Sequence, residues 1–292
     1  MKKKRKAKKI VFKIFLLILV FLVIEFIASN TFLSVTKISV KDEKIPESFN
    51  GYKIVQLSDL HSKSFGKNSS MLIRAVKAQN PDIIVLTGDM VNSTDTQFDI
   101  FYDCAKELVK ICDTYFIVGN HEQMLAVNLR SDITQHLKQI GVKTLDNKKV
   151  ILDKNGEKIN LYGLWFNLRY YRNLSGDSKD YALTDDIIRR LLGSTNNKEY
   201  NILLTHNPVY FDVYSDWGAD LTLSGHIHGG MIRVPFVGGV LSPEYEFFPY
   251  YDAGIYENGE DMMFISRGLG NGLFGMRMFN HPEIAVLTLE KQ

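Results

Sequence analysis

The 292-residue chain has two cysteines, Cys104 and Cys112, too few for a disulfide framework, a multi-cysteine zinc site or an iron–sulfur cluster. If both lie on one helix, their eight-residue spacing separates them by about 12 Å along the axis, too far for an intrahelical bridge. Two buried, unpaired thiols are expected. Beyond its first residues the chain also lacks any excess of positive charge. Seven of the 35 basic residues stand in the first nine positions, where there is no acid, and past Lys9 28 basic residues face 33 acidic ones, a balance of −5. That balance disfavours a broadly basic surface, so no stable nucleic-acid partner is expected. Internal repeats and low-complexity segments are absent too. With 45% hydrophobic and 23% charged residues, the composition is that of a folded globular protein.

What is present begins with a membrane signal. From Ile10 to Ala28 the chain is almost wholly apolar, and Ile14 to Ile24 is an unbroken run, IFLLILVFLVI. Its 19 residues at about 1.5 Å each can cross a bilayer's hydrocarbon core. The two charges, Lys13 and Glu25, lie near the ends, where a long side chain can snorkel to the interface. Seven positive charges ahead of the span predict a cytoplasmic N-terminus and an extracytoplasmic C-terminal domain. The segment ends EFIASN, where Phe26 and Ile27 spoil a small-x-small cleavage pattern, so the anchor is expected to be retained. No twin-arginine pair is present, since Arg5 is flanked by lysines.

The expected organisation is a basic tail (1–9), a transmembrane anchor (10–28), a tether with a possible first strand, KISV (29–49), and a catalytic domain (50–292). Within that domain apolar strands alternate with amphipathic helices. Strands are expected at Tyr52 to Leu57, Ile83 to Thr87, Tyr115 to Val118, Tyr200 to Thr205, Leu221 to Ser224, Met262 to Ser266 and Glu283 to Leu289. Helices are expected at Ser69 to Gln79, Phe98 to Ile111, Leu125 to Ile140 and Leu183 to Leu192. Asn155-Gly156 predicts a hairpin turn between Lys149–Asp153 and Lys158–Gly163. The fold class is α/β.

Chemistry in such folds gathers at the carboxyl ends of strands, and five polar clusters fall there. They are Ser58-Asp59-Leu60-His61, Thr87-Gly88-Asp89, Gly119-Asn120-His121-Glu122, Thr205-His206-Asn207 and Gly225-His226-Ile227-His228-Gly229-Gly230. Five of the seven histidines are in them. Any one cluster is what a turn with a satisfied side chain would give; five at consecutive strand ends are not. Carboxylate, imidazole and amide oxygen together suit borderline or hard divalent cations such as Mn²⁺, Fe²⁺ or Zn²⁺. Two adjacent ions need a bridging ligand, and Asp89 is the natural candidate. The neighbouring glycines let the backbone come close to the metals and adopt positive φ.

The order D-x-H, G-D, G-N-H-E, H, G-H-x-H resembles the calcineurin-like metallophosphoesterases. The later GHIHGG, PFVGG, ISRGLGNG and PEIAVLTL are similar to their membrane-associated bacterial phosphohydrolase branch. The resemblance covers roughly residues 50 to 290. It implies two mixed β-sheets flanked by helices. It further implies one metal held by Asp59, His61, Asp89 and His228, and a second held by Asp89, Asn120, His206 and His226. His121, beside Asn120, would be the catalytic histidine next to the substrate phosphate. A hydroxide between the two cations would attack phosphorus in line, and His121 would donate to a phosphate oxygen or protonate the departing alkoxide. Glu122 reads as support for its loop. The family usually continues G-D with x-x-Asp, an aspartate that pairs with the G-N-H histidine. Here Asn92 stands in that place, able to accept from His121 but without charge.

Substrate choice has three candidate segments. Leu164 to Arg172, aromatics with two arginines, is either a cleft wall or core packing. Arg267 to Gly272 with Arg277 is either a phosphate-capturing loop or a turn. Pro243 to Tyr251 would rest against lipid or fill the core. His281, before Pro282 at a strand entrance, is not expected to be a ligand. The expected substrate is a phosphodiester or a pyrophosphate, possibly lipid-linked or part of the envelope. A nuclease of the same fold should carry a basic surface, and a catalytically idle metal-binding module should have lost a ligand; the sequence shows neither.

Overall fold

Short strands whose residues are apolar at successive positions must be covered on both sides, and this fixes the layering. The structure, a computed structural model, describes residues 2–171, 182–230, 232–243, 245–272 and 275–292. Strands β2 (Lys53–Leu57), β3 (Ile83–Leu86) and β4 (Asp113–Phe116) run parallel, with the short β5 (Lys143–Thr144) beyond them. On the other side, β14 (Glu283–Lys291) pairs antiparallel with β2, and β1 (Ser34–Asp42) pairs parallel with β14 along its whole length. The second six-stranded sheet has the order β12 (Gly254–Asn258), β13 (Asp261–Ile265), β9 (Leu221–Ser224), β8 (Asn201–Thr205), β7 (Glu157–Leu164), β6 (Lys148–Lys154).

Side chains leave a strand alternately on its two faces. Ile83 and Val85 therefore enter the core between the sheets with Leu161, Ile202, Leu204 and Phe264, while Ile84 and Leu86 pack under helices. Those helices are α2 (Ser70–Lys77), α3 (Asp99–Leu108) and α5 (Val127–Gln139), which contribute Leu72, Phe101 and Leu137. The outer face of the second sheet is covered by α6 (Asp185–Leu192) and α7 (Phe211–Trp217) through Ile188, Tyr214 and Trp217. The result is the two-sheet sandwich flanked by helices that the sequence implied.

The helix expected from Leu125 is α5, which starts two residues later because Leu125 and Ala126 are extended; a short helix not expected from the sequence, α4 (Asn120–Met124), precedes them. The residues read as a tether contribute nine residues of strand to the first sheet. A small hairpin, β10 (Arg233–Val234) with β11 (Gly238–Gly239), follows the fifth polar cluster.

Helix α1 (Lys2–Thr31) contains a stretch long and apolar enough to cross a membrane, and the rest of the chain buries none of it. Among the described residues, its C-terminal turns are the part that touches the domain. Phe21 lies 6.1 Å from Phe279 between ring centroids. Asn30 Nδ2 donates to Arg277 O at 2.9 Å while Asn30 Oδ1 accepts from Arg277 N at 3.1 Å. Ser29 Oγ accepts from Asn280 N, and Glu25 stands 3.7 Å from His281 Nε2.

Candidate metal centre

The five polar clusters leave the ends of β2, β3, β4, β8 and β9, so the sandwich delivers them to one rim. Tight reversals at these ends put Asp59, His61, Asp89, His226 and His228 themselves in the left-handed region, with φ of 52°, 48°, 53°, 74° and 56°. Such backbone is costly for residues other than glycine and persists where the surroundings over-determine it, as functional sites do. The strain thus falls on the site residues more than on the glycines beside them. Gly225 is there for closeness: a Cβ would come within 2.5 Å of Asp59 Oδ2.

Three groups of donor atoms converge, with the atoms of each group within 4.8 Å of one another: Asp59, His61 and His228; His61, Asp89 and His121; Asp89, His206 and His226. His61 Nε2 and His228 Nε2 are 3.0 Å apart, and His228 Nε2 is 3.6 Å from Asp59 Oδ1. Asp89 Oδ2 lies 3.1 Å from His206 Nε2 and 4.0 Å from both His61 Nε2 and His121 Nε2. The opposite ring nitrogens are occupied. His61 Nδ1 pairs with Asn92 Oδ1 at 3.0 Å, and His206 Nδ1 with Thr87 O at 2.7 Å. Each ring thereby turns Nε2 towards the centre.

The donor set fits divalent cations. Asn120 Oδ1 is buried without any hydrogen-bond partner, a cost that a bound cation would remove. Burial holds His61 below the usual histidine range despite Asp89, and burial with the neighbouring His61 and Arg277 does the same to His228; both rings are neutral, the form that ligates. Burial opposes charge on Asp89 and His206 as well, but their mutual attraction outweighs it, lowering the carboxyl and raising the imidazole.

Glu122 is buried, and its carboxylate accepts from the backbone N–H groups of Gly119, Asp89, Met90 and Val91 at 2.8, 2.9, 2.7 and 3.3 Å. It splices the second and third clusters together. Asn92 corrects the sequence reading, because it belongs to His61 and not to His121. Its Nδ2 donates to His61 O and faces Asp95, while His121 Nδ1 accepts from Ser93 N at 3.1 Å. A second carboxylate at position 92 would stand against Asp95.

Sequence reasoning missed the props behind His228. Arg277, fully buried, reaches His228 Nδ1 at 3.4 Å and donates through Nε to Gly270 O; Asn280 Nδ2 donates to His228 O at 2.7 Å. The glycine-rich segment is thus packing beneath the rim, with Arg267 paired to Glu283. In the aromatic segment, Phe166, Tyr170 and Tyr171 join the core, and Tyr171 also sets its ring edgewise on His226 at 5.2 Å; Arg172 lies outside the described residues. Tyr245, Phe247, Phe248 and Tyr250 are exposed and so do not fill the core; Glu244 lies outside the described residues.

Residues 52–230 match the sequence profile of the calcineurin-like phosphoesterases. An uncharacterized metallophosphoesterase of Bacillus subtilis (strain 168), YkuE, is 29% identical over 87% of this chain and 85% of its own length. The phosphodiesterase YaeI of Escherichia coli (strain K12) is 31% identical over 82% of each chain. A transmembrane protein with a metallophosphoesterase domain from Bos taurus is 27% identical over 88% of this chain and 57% of its own length. With the five clusters on one rim and the profile matched across them, the chain belongs to the calcineurin-like phosphoesterase family and is a hydrolase of phosphoric esters.

Proposed function

We propose that the chain is a membrane-anchored phosphodiesterase whose rim holds two divalent cations. Asp59, His61, Asp89 and His228 would hold one, and Asp89, Asn120, His206 and His226 the other, with Mn²⁺, Zn²⁺ or Fe²⁺ the suitable ions. The observation that carries this reading is the convergence of His61, His228, His206 and His226 on the buried carboxylates of Asp59 and Asp89, with Asn120 Oδ1 buried and unpaired. Such a pair supplies water activation and Lewis acidity at phosphorus.

The chain's own residues do the rest. Asp59 and Asp89, both buried, bring the negative charge that makes the rim cation-binding. His121 is partly open to solvent; with Ser93 N–H donating to its Nδ1, its neutral ring carries the proton on Nε2, facing the centre. That N–H would donate a hydrogen bond to a phosphoryl oxygen, whereas protonating the departing alkoxide would take the imidazolium, whose Nδ1 gives up the Ser93 bond. Residues 10–28 would span the membrane, with the tail cytoplasmic and residues 50–292 outside, where a phosphodiester or pyrophosphate of a lipid-linked or envelope compound is the expected substrate. The phosphodiesterase named among the relatives supports the diester reading.

The test is elemental analysis and activity of the full chain after metal reconstitution. Two ions per chain and hydrolysis of an aryl phosphodiester are expected. Asp89→Ala should lose both ions and at least about a thousandfold in rate, as removal of a major electrostatic element does. One ion or none in active wild type would overturn the dinuclear assignment.

A further inference from the structure

Outside the rim and α1, exposed aromatic side chains gather on one apron, where Phe248 N donates to Val240 O and Leu241 bridges Phe247. The β10–β11 turn carries Phe236, fully exposed, and Val237; the loop after it carries Phe247, Phe248 and Tyr250, which are 70%, 59% and 78% exposed. Phe236 and Phe248 sit at φ of 69° and 54°, backbone that a bulky side chain occupies at a cost, and Phe236 does so without any burial in return.

The apron adjoins the end of α1. Ile232, which opens the hairpin, bridges to Met278, and Arg233 N donates to Met278 O at 3.0 Å. Met278 lies between Arg277 and Phe279, the two residues held by Asn30 and Phe21 of α1. Phe21 is seven residues before Ala28, where the apolar run ends, or about 10 Å along the helix axis. If α1 spans a bilayer, Phe279 is drawn to that depth, and the neighbouring hairpin is brought to the lipid surface. Interfacial protein segments bury their apolar face by about 5–10 Å, and aromatic side chains favour that zone.

We propose that this apron docks into the same bilayer that α1 spans, with Phe236, Val237, Phe247, Phe248 and Tyr250 in the headgroup and upper acyl region. The metal centre is carried with it. Arg233 Nη1 donates to Gly229 O at 2.9 Å, one residue past His228, so hairpin and rim are one body. Resting on the proposed phosphodiesterase activity, the consequence is a substrate whose scissile phosphate is presented at the membrane surface on a lipid.

The experiment uses the full chain in nanodiscs of phosphatidylglycerol and phosphatidylethanolamine. The fluorescence that Phe236→Trp adds to the native Trp165 and Trp217 is challenged with doxyl-labelled lipid and with acrylamide. Quenching by a shallow doxyl group with shielding from acrylamide is expected. Quenching by acrylamide alone would overturn the proposal, and so would shielding from both with two copies per disc, which would make a second chain the occupant. In parallel, a Phe236→Ser/Phe247→Ser variant should lose about tenfold on a disc-embedded lipid phosphodiester but keep its rate on a soluble aryl diester. Equal loss on both would overturn the lipid substrate. A wild type inactive on both diesters while the doxyl result stands would instead remove the phosphodiesterase reading and leave the docking intact.

Discussion

Asn92 shows how one amide sets the working face of a ligand. Its Oδ1 takes His61 Nδ1 and its Nδ2 takes His61 O, with Asp95 behind. Removing it by Asn92→Ala should weaken cation binding about 10–100-fold while the fold persists, read by metal titration. Hydrolysis by the fully loaded variant should keep its pH profile, because His121 takes its hydrogen bond from Ser93. A shift of the alkaline limb would return Asn92 to His121. At the thiols, burial pushes Cys104 up to about 12, and burial with the charges of Asp113 and Asp82 pushes Cys112 up to about 11. A raised thiol is protonated below its pKa, so neither should react with a thiolate-directed reagent at pH 8. Cys112, half-buried, should begin to react as pH approaches 11, and Cys104 only on unfolding, as mass spectrometry after timed alkylation would show.

The site residues were legible because each stands after a short apolar run and their order is dense with chemistry-bearing side chains. Their partners were not. Asn92, Arg277 and Asn280 act across 31, 49 and 52 positions of sequence, and no local pattern announces such contacts. Elements follow the same division. The β6–β7 hairpin was readable from Asn155-Gly156, which take φ of 56° and 87° as a two-residue turn of matching twist demands. Strand β1 was read as four residues in a tether, because an edge strand exposes most of its side chains and only Ile38 and Val40 are buried. That difference matters for any soluble version. A chain beginning at Leu33 keeps the β1–β14 ladder, whereas one beginning at Lys44 loses it along with two apolar side chains whose burial stabilises by about 1.5–3 kcal/mol each. Thermal melting should show a cooperative transition for the first and a much lower one, or aggregation through the bared β14 edge, for the second.

For the whole molecule, the seven basic residues at the start of α1, ahead of its apolar run, predict for the proposed anchor that the catalytic domain stands outside the cytoplasm. Protease added to intact spheroplasts should digest it; protection until lysis would reverse the orientation and leave cytoplasmic lipid-linked nucleotides as the substrates to test. The pairing of β1 with β14 adds a constraint of timing. Ser34 lies opposite Glu283 and Asp42 opposite Lys291, so the first strand to leave the ribosome waits for the last. Ladders closed across so long a stretch of chain form late and slowly. During synthesis α1 is available to the membrane from the start, while β1 trails from it with nothing to pair with. With α1 as the proposed anchor, this hydrolase is tethered before it can be built, and a nascent chain halted short of residue 283 would be a membrane-bound protein with an open sheet and no activity.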